Sequence, residues 1–555
     1  MPPQKHARSP SADAIYDAPA GKIGKHNTSN DPLRHPTIQV AKRIDADTPF
    51  NQLTTLLKKS SSDDKPRNVL HWFRSKDLRH QDNRALAAAA EKVKEGNGNL
   101  ITCYLHSPKD MEWHGTSPAR VDLILETLKL LQKELEDKNV PLAILVAEER
   151  KDKTSRVLEF VKKWDISHVY ANMEYEVDEL RRDIDFIKKK GDGVGFEVLH
   201  DQTVVEPLAL CTGAGTPHKV FTPYHRAWLG EVGEDPGLLD TVASPEGNEK
   251  TAREEFKELF GGKIPKAPEN KQFADDKERE RVRKLWPAGH DAGMKKLSLF
   301  LDQKVDKYAG DRSTPALDPS SRLSPYFASG LISIREVMKA CLKHKTAGGK
   351  KVPSLPQGPA AWVRELVFRE FYRHTTCATP HTSMNLPVNL KFDNVEWEED
   401  EEGWKKWCEG TTGVPFVDAG MRQLKAEKWM HNRARMNTSS YLSANLLIDY
   451  RRGERYFAEH LVDWDLSNNT NGWQPSYTVF NPVSQAEKCD PEGEYIRRWV
   501  PELKHVKGKA VFAPSERLGK GEFEKLGYPR PHVEYGESKA RAVERYKKGI
   551  AEARV

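Results

Sequence analysis

At 555 residues the chain should hold at least two hydrophobic cores, since a single core seldom keeps growing past about 250–300 residues. Its formal charge of +6 is the small excess of 88 bases over 82 acids, too even a balance for basicity alone to mark a nucleic-acid binder. Six cysteines, Cys103, Cys211, Cys341, Cys377, Cys408 and Cys489, are scattered without a C-x-x-C pair, which argues against a zinc or iron–sulfur site and for a reducing compartment. No apolar run approaches a membrane span, so a soluble intracellular protein is expected.

Residues 1–66 are rich in Ser, Pro, Asp and Lys without a sustained hydrophobic period, which predicts a basic, largely disordered N-terminal extension. Its Lys and Arg, with few acids before Asp13, suit a nuclear or a mitochondrial address equally.

Over residues 67–206 short apolar runs alternate with helical ones: VLHWF from Val69, RALAAAAEKV, LITCYLH, SPARVDLILETLKLLQKEL with Ser117 as N-cap and Pro118 in the first turn, then PLAILVA, SRVLEFVKKW, HVYAN, VDELRRDIDFIKKK and FEVLHD. That order predicts an α/β domain, a Rossmann-like parallel sheet with helices on both faces. RSKDLRHQDN stands after the first strand where the Gly-rich dinucleotide fingerprint would be, and the glycines at Gly191, Gly213 and Gly215 read as turns, so the domain need not bind NAD.

Residues 207–286 shift towards Gly, Pro and Glu around VFTPYHRAWL and read as a long interdomain linker. Residues 287–535 carry helical periodicity in LDQKVDKYAG, ISIREVMKACLKH, AAWVRELVFREFYRH and the stretch from Trp429 to Trp473, which predicts a larger all-α domain; residues 536–555 read as a C-terminal helix or tail.

Candidate site residues gather in the helical half. Asn432 and Met436 stand four apart on one helix face, and beyond a second amphipathic run from Arg452 to Leu461 comes a polar loop with Asp463, Asp465, Asn468 and Asn469. Two carboxylates and two amides between apolar helices are costly to bury unless something polar binds there. AWVRELVFREFYRH sets Glu365, Phe368 and Tyr372 on one stripe with Arg369 and Arg373 beside it, where a solvated charged edge is the plain alternative. Ser320, Ser321, Arg322 and Ser324 precede a helix start, where hydroxyls and free N–H groups suit a pyrophosphate; an ordinary N-cap accounts for them nearly as well.

VLHWFRSKDLRHQDNRAL, SSRLSPYFASG, WVRELVFREFYRH, GVPFVDAGMRQL, WMHNRARM, GERYF and FNPVSQAEKCDPEGEYIRRWVPEL occur in this order, and from about Val69 onward the chain resembles the photolyase/cryptochrome flavoproteins, most of all the class I cyclobutane pyrimidine dimer photolyases of fungi. The resemblance implies a U-shaped FAD in the helical domain against Tyr308, with Ser320, Ser321, Arg322, Leu323 and Ser324 around its phosphates. Trp362, Asn432, Arg435, Asp463, Asp465 and Leu466 would hold the rest, Arg435 paired with Asp463, and Asn469 would face flavin N5. It implies a monomer acting without a metal or a membrane on DNA that contains cyclobutane dimers, light driving one electron from reduced FAD to a flipped-out dimer and back. Glu365, Asn432, Met436, Phe368 and Tyr372 would meet the dimer, and Arg312, Arg369, Arg373 and Arg433 the phosphates. The same resemblance allows a cryptochrome-type light receptor without repair activity as the alternative.

The chain departs from the family in three places. Phe368 replaces a dimer-facing Trp, and after Trp473 and Gln474 the chain passes through Pro475 straight to PSYTVFNP, omitting a segment with a second Trp. The electron relay would read Trp473, Tyr450, Trp397, with Tyr450 in place of a Trp and Asp449 as acceptor for its phenolic proton. Asp178 and Glu179 occupy positions that contact a methenyltetrahydrofolate antenna in related proteins, while Ser383 and Met384 replace a Cys-Lys pair.

Overall fold

The computed structural model describes residues 33–62 and 64–554. Five strands, β1 (Asn68–Phe73), β2 (Leu100–His106), β3 (Leu142–Val146), β4 (Ile166–Asn172) and β5 (Gly195–Leu199), form one sheet in the order β3-β2-β1-β4-β5. All its ladders are parallel. β1, β2 and β4 are buried along almost their whole length, which is why they read as continuous apolar runs. Among the crossover helices, Pro118–Glu136 starts as its sequence predicts, Ser117 Oγ accepting from Arg120 N with Pro118 in the first turn.

Strand order reverses between β1 and β4, where open α/β sheets receive ligands at the strand ends. Here that ground is occupied by the chain itself. The Asp77 carboxyl accepts from Asn172 Nδ2 at 2.8 Å and from Arg74 N at 2.6 Å, and burial raises its pKa to about 7.

The disorder expected for residues 1–66 does not hold for residues 33–62. Thr37 and Thr48 cap the helices Ile38–Ala46 and Pro49–Leu57, and Phe50 and Leu53 pack against Met173, Tyr175, Leu180 and Ile184. Residues 1–32 lie outside the described residues. The expected linker is also built into the fold. Its helix Phe221–Glu234 buries Tyr224 and Trp228, and Glu370 Oε2 accepts from Trp228 Nε1 at 2.7 Å while Oε1 accepts from Val204 N at 2.7 Å. Further along, Asn248 bonds Leu100 N and O at 2.8 Å each, replacing backbone partners at the start of β2.

The remainder is helical. The terminal helix Tyr535–Glu552 is packed, burying Ala542 and Tyr546 against Phe392 and Leu447. A buried ion cluster joins the halves. Arg335, from the helix Ile334–Lys343, reaches Asp201 at 2.7 Å and Asp82 at 3.0 Å, and Arg79 shares Asp201. Burial opposes the charge on Asp201, but Arg79 and Arg335 outweigh it and hold its carboxyl well below the usual range.

Arg335→Met should therefore cost about 3–5 kcal/mol, because it leaves two carboxylates buried with one cation fewer. A depressed carboxyl adds stability above its unfolded pKa of about 4 and loses it as pH falls through the folded value. Urea unfolding from about pH 7 down to about pH 3 should show an acid-side decline that is shallower in the variant; equal slopes would place the acid sensitivity elsewhere.

Candidate functional site

The helix Gln357–Ala378 distributes its stripe over different surroundings. Glu365 pairs with Arg312. Phe368 stacks on Phe221, centroids 3.3 Å apart and planes 9° apart, so the former linker covers one face of its ring. Trp362 is buried beside Phe300, which Tyr308 meets edge-on at 5.6 Å.

Arg369 and Arg373 do not lie where phosphate contacts were expected. Arg369 donates to Gln202 O at 2.6 Å and Phe327 O at 3.3 Å, and burial next to Arg373 lowers its pKa to about 9. Arg373 is buried on Asp465 at 2.6 Å and also donates to Gln202 Oε1 and Asn468 Oδ1. Both sit on the face of the helix that meets the α/β domain, and a stripe read at three- and four-residue steps does not separate that face from its neighbour.

The helix Asn432–Ser440 is capped by His431, whose Nδ1 accepts from Arg433 N at 3.2 Å. Burial lowers His431 to about pKa 4, leaving the ring neutral and its nitrogen free to accept. Asn432 is exposed, and Met436 is 37% exposed, so Met436 does not serve as core filling. Arg433 Nε donates to Ser313 Oγ at 3.1 Å and its guanidinium touches Met436 Sδ at 3.6 Å. Contacts thus run without a break from Glu365 through the neighbours Arg312 and Ser313 to Arg433 and Met436. They give one rim with a carboxylate, two guanidinium groups, an amide and a thioether.

Behind it, the expected Arg435–Asp463 pair is present at 2.8 Å. Asp465 accepts from Asn468 N at 2.9 Å and caps the helix Leu466–Gly472 while pairing with Arg373. Burial would raise its pKa, but Arg373, Lys76 and Arg369 together hold it well below the carboxylate range. Asn469 Nδ2 donates to Glu454 O at 2.9 Å, which leaves its Oδ1 as the group to offer a ligand. Glu454 had no role in the sequence reading, although GERYF contains it; its buried carboxyl, raised to about pKa 7, accepts from Thr470 Oγ1 at 2.5 Å and fixes the next residue of the same helix.

At the opposite end, Arg322 takes a left-handed φ of 53°, its N–H donating to Ser320 Oγ at 3.1 Å. Its guanidinium is engaged by Asp318 and Glu427, so the expected phosphate contact falls to the hydroxyls. Ser320 and Ser321 are half-buried, Ser324 is exposed and accepts from Trp429 Nε1 at 3.1 Å, and Leu323 is buried beneath. Three hydroxyls, a cation-balanced carboxylate and an amide oxygen are the kinds of group that the phosphates, imide and N5 edge of a flavin dinucleotide would need.

The expected relay is only partly assembled. Tyr450 meets Trp397 at 6.0 Å, but Trp473 rests on Phe457 at 4.9 Å and Trp407 at 6.2 Å. The buried Tyr450 hydroxyl has no hydrogen-bond partner among the described residues, and Asp449, expected to take its proton, is held by Arg451 N–H and guanidinium at 2.9 and 3.2 Å. The shortened stretch places Tyr477, 52% exposed, against Phe392 at 5.6 Å; Gln474 Oε1 accepts from Val388 N at 2.6 Å.

At the expected antenna position Asp178 pairs with Arg150 at 2.6 Å, and burial beside Glu174 and Glu176 raises Glu179 to about pKa 8. Asp110, His114 and Glu179 approach closely enough to hold a metal ion, but Arg150 and Lys153 already balance Asp110 at 2.9 and 2.8 Å. The cleft there, bounded by Leu466 and Trp464, is about 110 Å³, against about 300–1,000 Å³ for a pocket enclosing a sizeable small molecule. Met384 and Ile44 of the N-terminal helix pack against Val177 beside it.

A Cβ at Gly453 would fall 2.3 Å from Trp473 Cη2. Gly453→Ala should cost about 1–3 kcal/mol through overpacking and shift Trp473; an unchanged melting temperature and tryptophan emission would contradict that contact.

Residues 69–244 match the family model described as DNA photolyase, and residues 362–548 the one described as FAD binding domain of DNA photolyase. The chain is 41% identical over 508 residues to the deoxyribodipyrimidine photo-lyase of Neurospora crassa, covering 87% of this chain and 82% of that protein. It is 31% identical over 522 residues to the mitochondrial deoxyribodipyrimidine photo-lyase of Saccharomyces cerevisiae, covering 88% of each. The crystal structure of a class III photolyase from Agrobacterium tumefaciens matches with a TM-score of 0.74 and 28% identity, over 89% of this chain and 99% of that one.

Proposed function

We propose, since this chain belongs to the DNA photolyase family, that it is a light-driven lyase reopening cyclobutane pyrimidine dimers in DNA with bound FAD. The observation that carries the reading is the unbroken rim from Glu365 through Arg312 and Arg433 to Met436, together with the Asp463–Arg435 pair and Asn469 on the helix Leu466–Gly472. When bound, the flavin supplies the light-driven electron and takes it back.

The chain's own groups then have separable tasks. Asp463, its charge balanced by Arg435, would hold the flavin imide, the hydroxyls of Ser320, Ser321 and Ser324 would hold the phosphates, and the Asn469 oxygen would accept at N5 without adding charge. The Glu365 carboxylate accepts from the imide N–H of an everted pyrimidine, while Asn432 and the polarisable Met436 Sδ meet its edge. Arg312 and Arg433 meet the flanking phosphates. Phe368, stacked on Phe221, braces the pocket wall.

No helix among the described residues is long and apolar enough to cross a membrane. The basic segment expected to carry an address lies largely outside the described residues; the name of the Saccharomyces relative supports mitochondria as one destination.

Purified protein, chemically reduced and mixed with an oligonucleotide containing a cyclobutane thymine dimer, should restore the two thymines in light and not in darkness. Absence of light-dependent repair in flavin-loaded protein would refute the proposal. Glu365→Ala should retain FAD but lose roughly tenfold in repair, the size of one charge-assisted hydrogen bond; loss of flavin would move Glu365 into the cofactor site. Arg433→Ala should lower the salt slope of DNA binding by about one phosphate contact, and an unchanged slope would remove Arg433 from the DNA interface.

A further inference from the structure

We infer that electrons reach the flavin site from the surface along a second, all-tryptophan route, Trp473–Trp407–Trp404, in place of the route through Tyr450. The inference rests on the proposed function, because it supplies the reduced flavin from which repair starts. Trp473 meets Trp407 at 6.2 Å with planes 72° apart, and Trp407 stacks on Trp404 at 5.4 Å and 21°. Trp407 is buried and held by its Nε1 donating to Thr438 O at 3.0 Å, while Trp404 is partly exposed. The row therefore runs from the wall beside Asn469 to solvent.

The Tyr450 route lacks what a phenol needs. Oxidising tyrosine demands that its proton leave with the electron, and the Tyr450 hydroxyl is buried with no acceptor among the described residues. An indole keeps its proton through the hop, so buried Trp407 needs none. Tyr456 touches both indoles but donates to Cys408 O at 3.2 Å, an amide oxygen too weakly basic to take the proton. Arg452 lies 4.4 Å over Trp404, which disfavours a positive ring; Glu401, bonded to Arg452 at 2.6 and 3.0 Å, offsets that charge.

The step balances as follows. One electron leaves Trp473 for oxidised flavin, the vacancy moves to Trp407 and then to Trp404, and the partly exposed indole releases its N1 proton to water; two such passages deliver the two electrons that full reduction requires. A thiol in solution restores Trp404 by giving up one hydrogen atom, and the resulting thiyl radicals pair as a disulfide.

Blue-light reduction of flavin-loaded protein with dithiothreitol should fall about tenfold in Trp404→Phe and in Trp407→Phe, and stay within about twofold of the parent in Tyr450→Phe. Trp404 is at the surface, so its variant stays informative if Trp407→Phe fails to fold. Near-ultraviolet circular dichroism of flavin-free protein should lose the signature of a stacked indole pair in Trp404→Phe, a readout independent of flavin chemistry. A slow Tyr450→Phe with a fast Trp404→Phe would overturn the inference. Chemically reduced Trp404→Phe should repair dimers at the parental rate. Photoreduction through Trp404 without any repair would sink the proposed function and leave the route standing, whereas repair with photoreduction indifferent to Trp404 would do the reverse.

Discussion

The buried ion pair between Arg373 and Asp465 holds the arrangement together. Asp465 does three things at once: it neutralises Arg373, caps the helix that carries Asn469 and Trp473, and sits within the field of Lys76 from the α/β domain. Lys76 in turn pairs with Glu176 at 2.5 Å, which accepts from Ser467 Oγ at 3.1 Å. A charge taken out of water this completely persists only when its partners are fixed. The helix that carries Asn469 is therefore positioned by both halves of the molecule, through the Ser467–Glu176 hydrogen bond and the nearby Lys76 charge, while the charge pairs of Arg335 with Asp201 and Asp82 cross between the halves.

Polar satisfaction also decides which expected site residues remain available to ligands. Arg369, Arg373 and Arg322 spend their donors on the protein, and Asp449 spends its acceptors on Arg451. Glu365, Asn432, Arg433 and Met436 stay at least partly exposed, and Asn469 spends its Nδ2 on Glu454 O while its Oδ1 is left over. Sequence spacing put Glu365, Arg369 and Arg373 on one helix and Asn432 and Met436 on another, but read Asn468 and Asn469 as a loop where the helix Leu466–Gly472 runs; only packing separates the arginines that bridge domains from those that face outward.

The α/β sheet was legible because strands buried on both faces write themselves as apolar runs, and the Pro118–Glu136 helix because its cap is local. The N-terminal helices were missed because a polar average hid two threonine caps, and the linker because Trp228 and Glu370 lie 142 residues apart. In the site, the Asp463–Arg435 pair was legible through family resemblance, whereas the aromatic row through Trp407 and Trp404 was not. Ring contacts between separate helices leave no periodic trace, and Gly453 becomes meaningful only when Trp473 is seen against its backbone.

The N-terminal helices also bear on how this protein can be shortened. Asp45 meets His381 at 2.6 Å, and Ala41 lies fully enclosed against Leu386 and Leu390, so a version trimmed back to the first strand would uncover oily ground on the catalytic half as well as on the sheet. A stable shortened version must therefore keep the helices Ile38–Ala46 and Pro49–Leu57 with their caps Thr37 and Thr48.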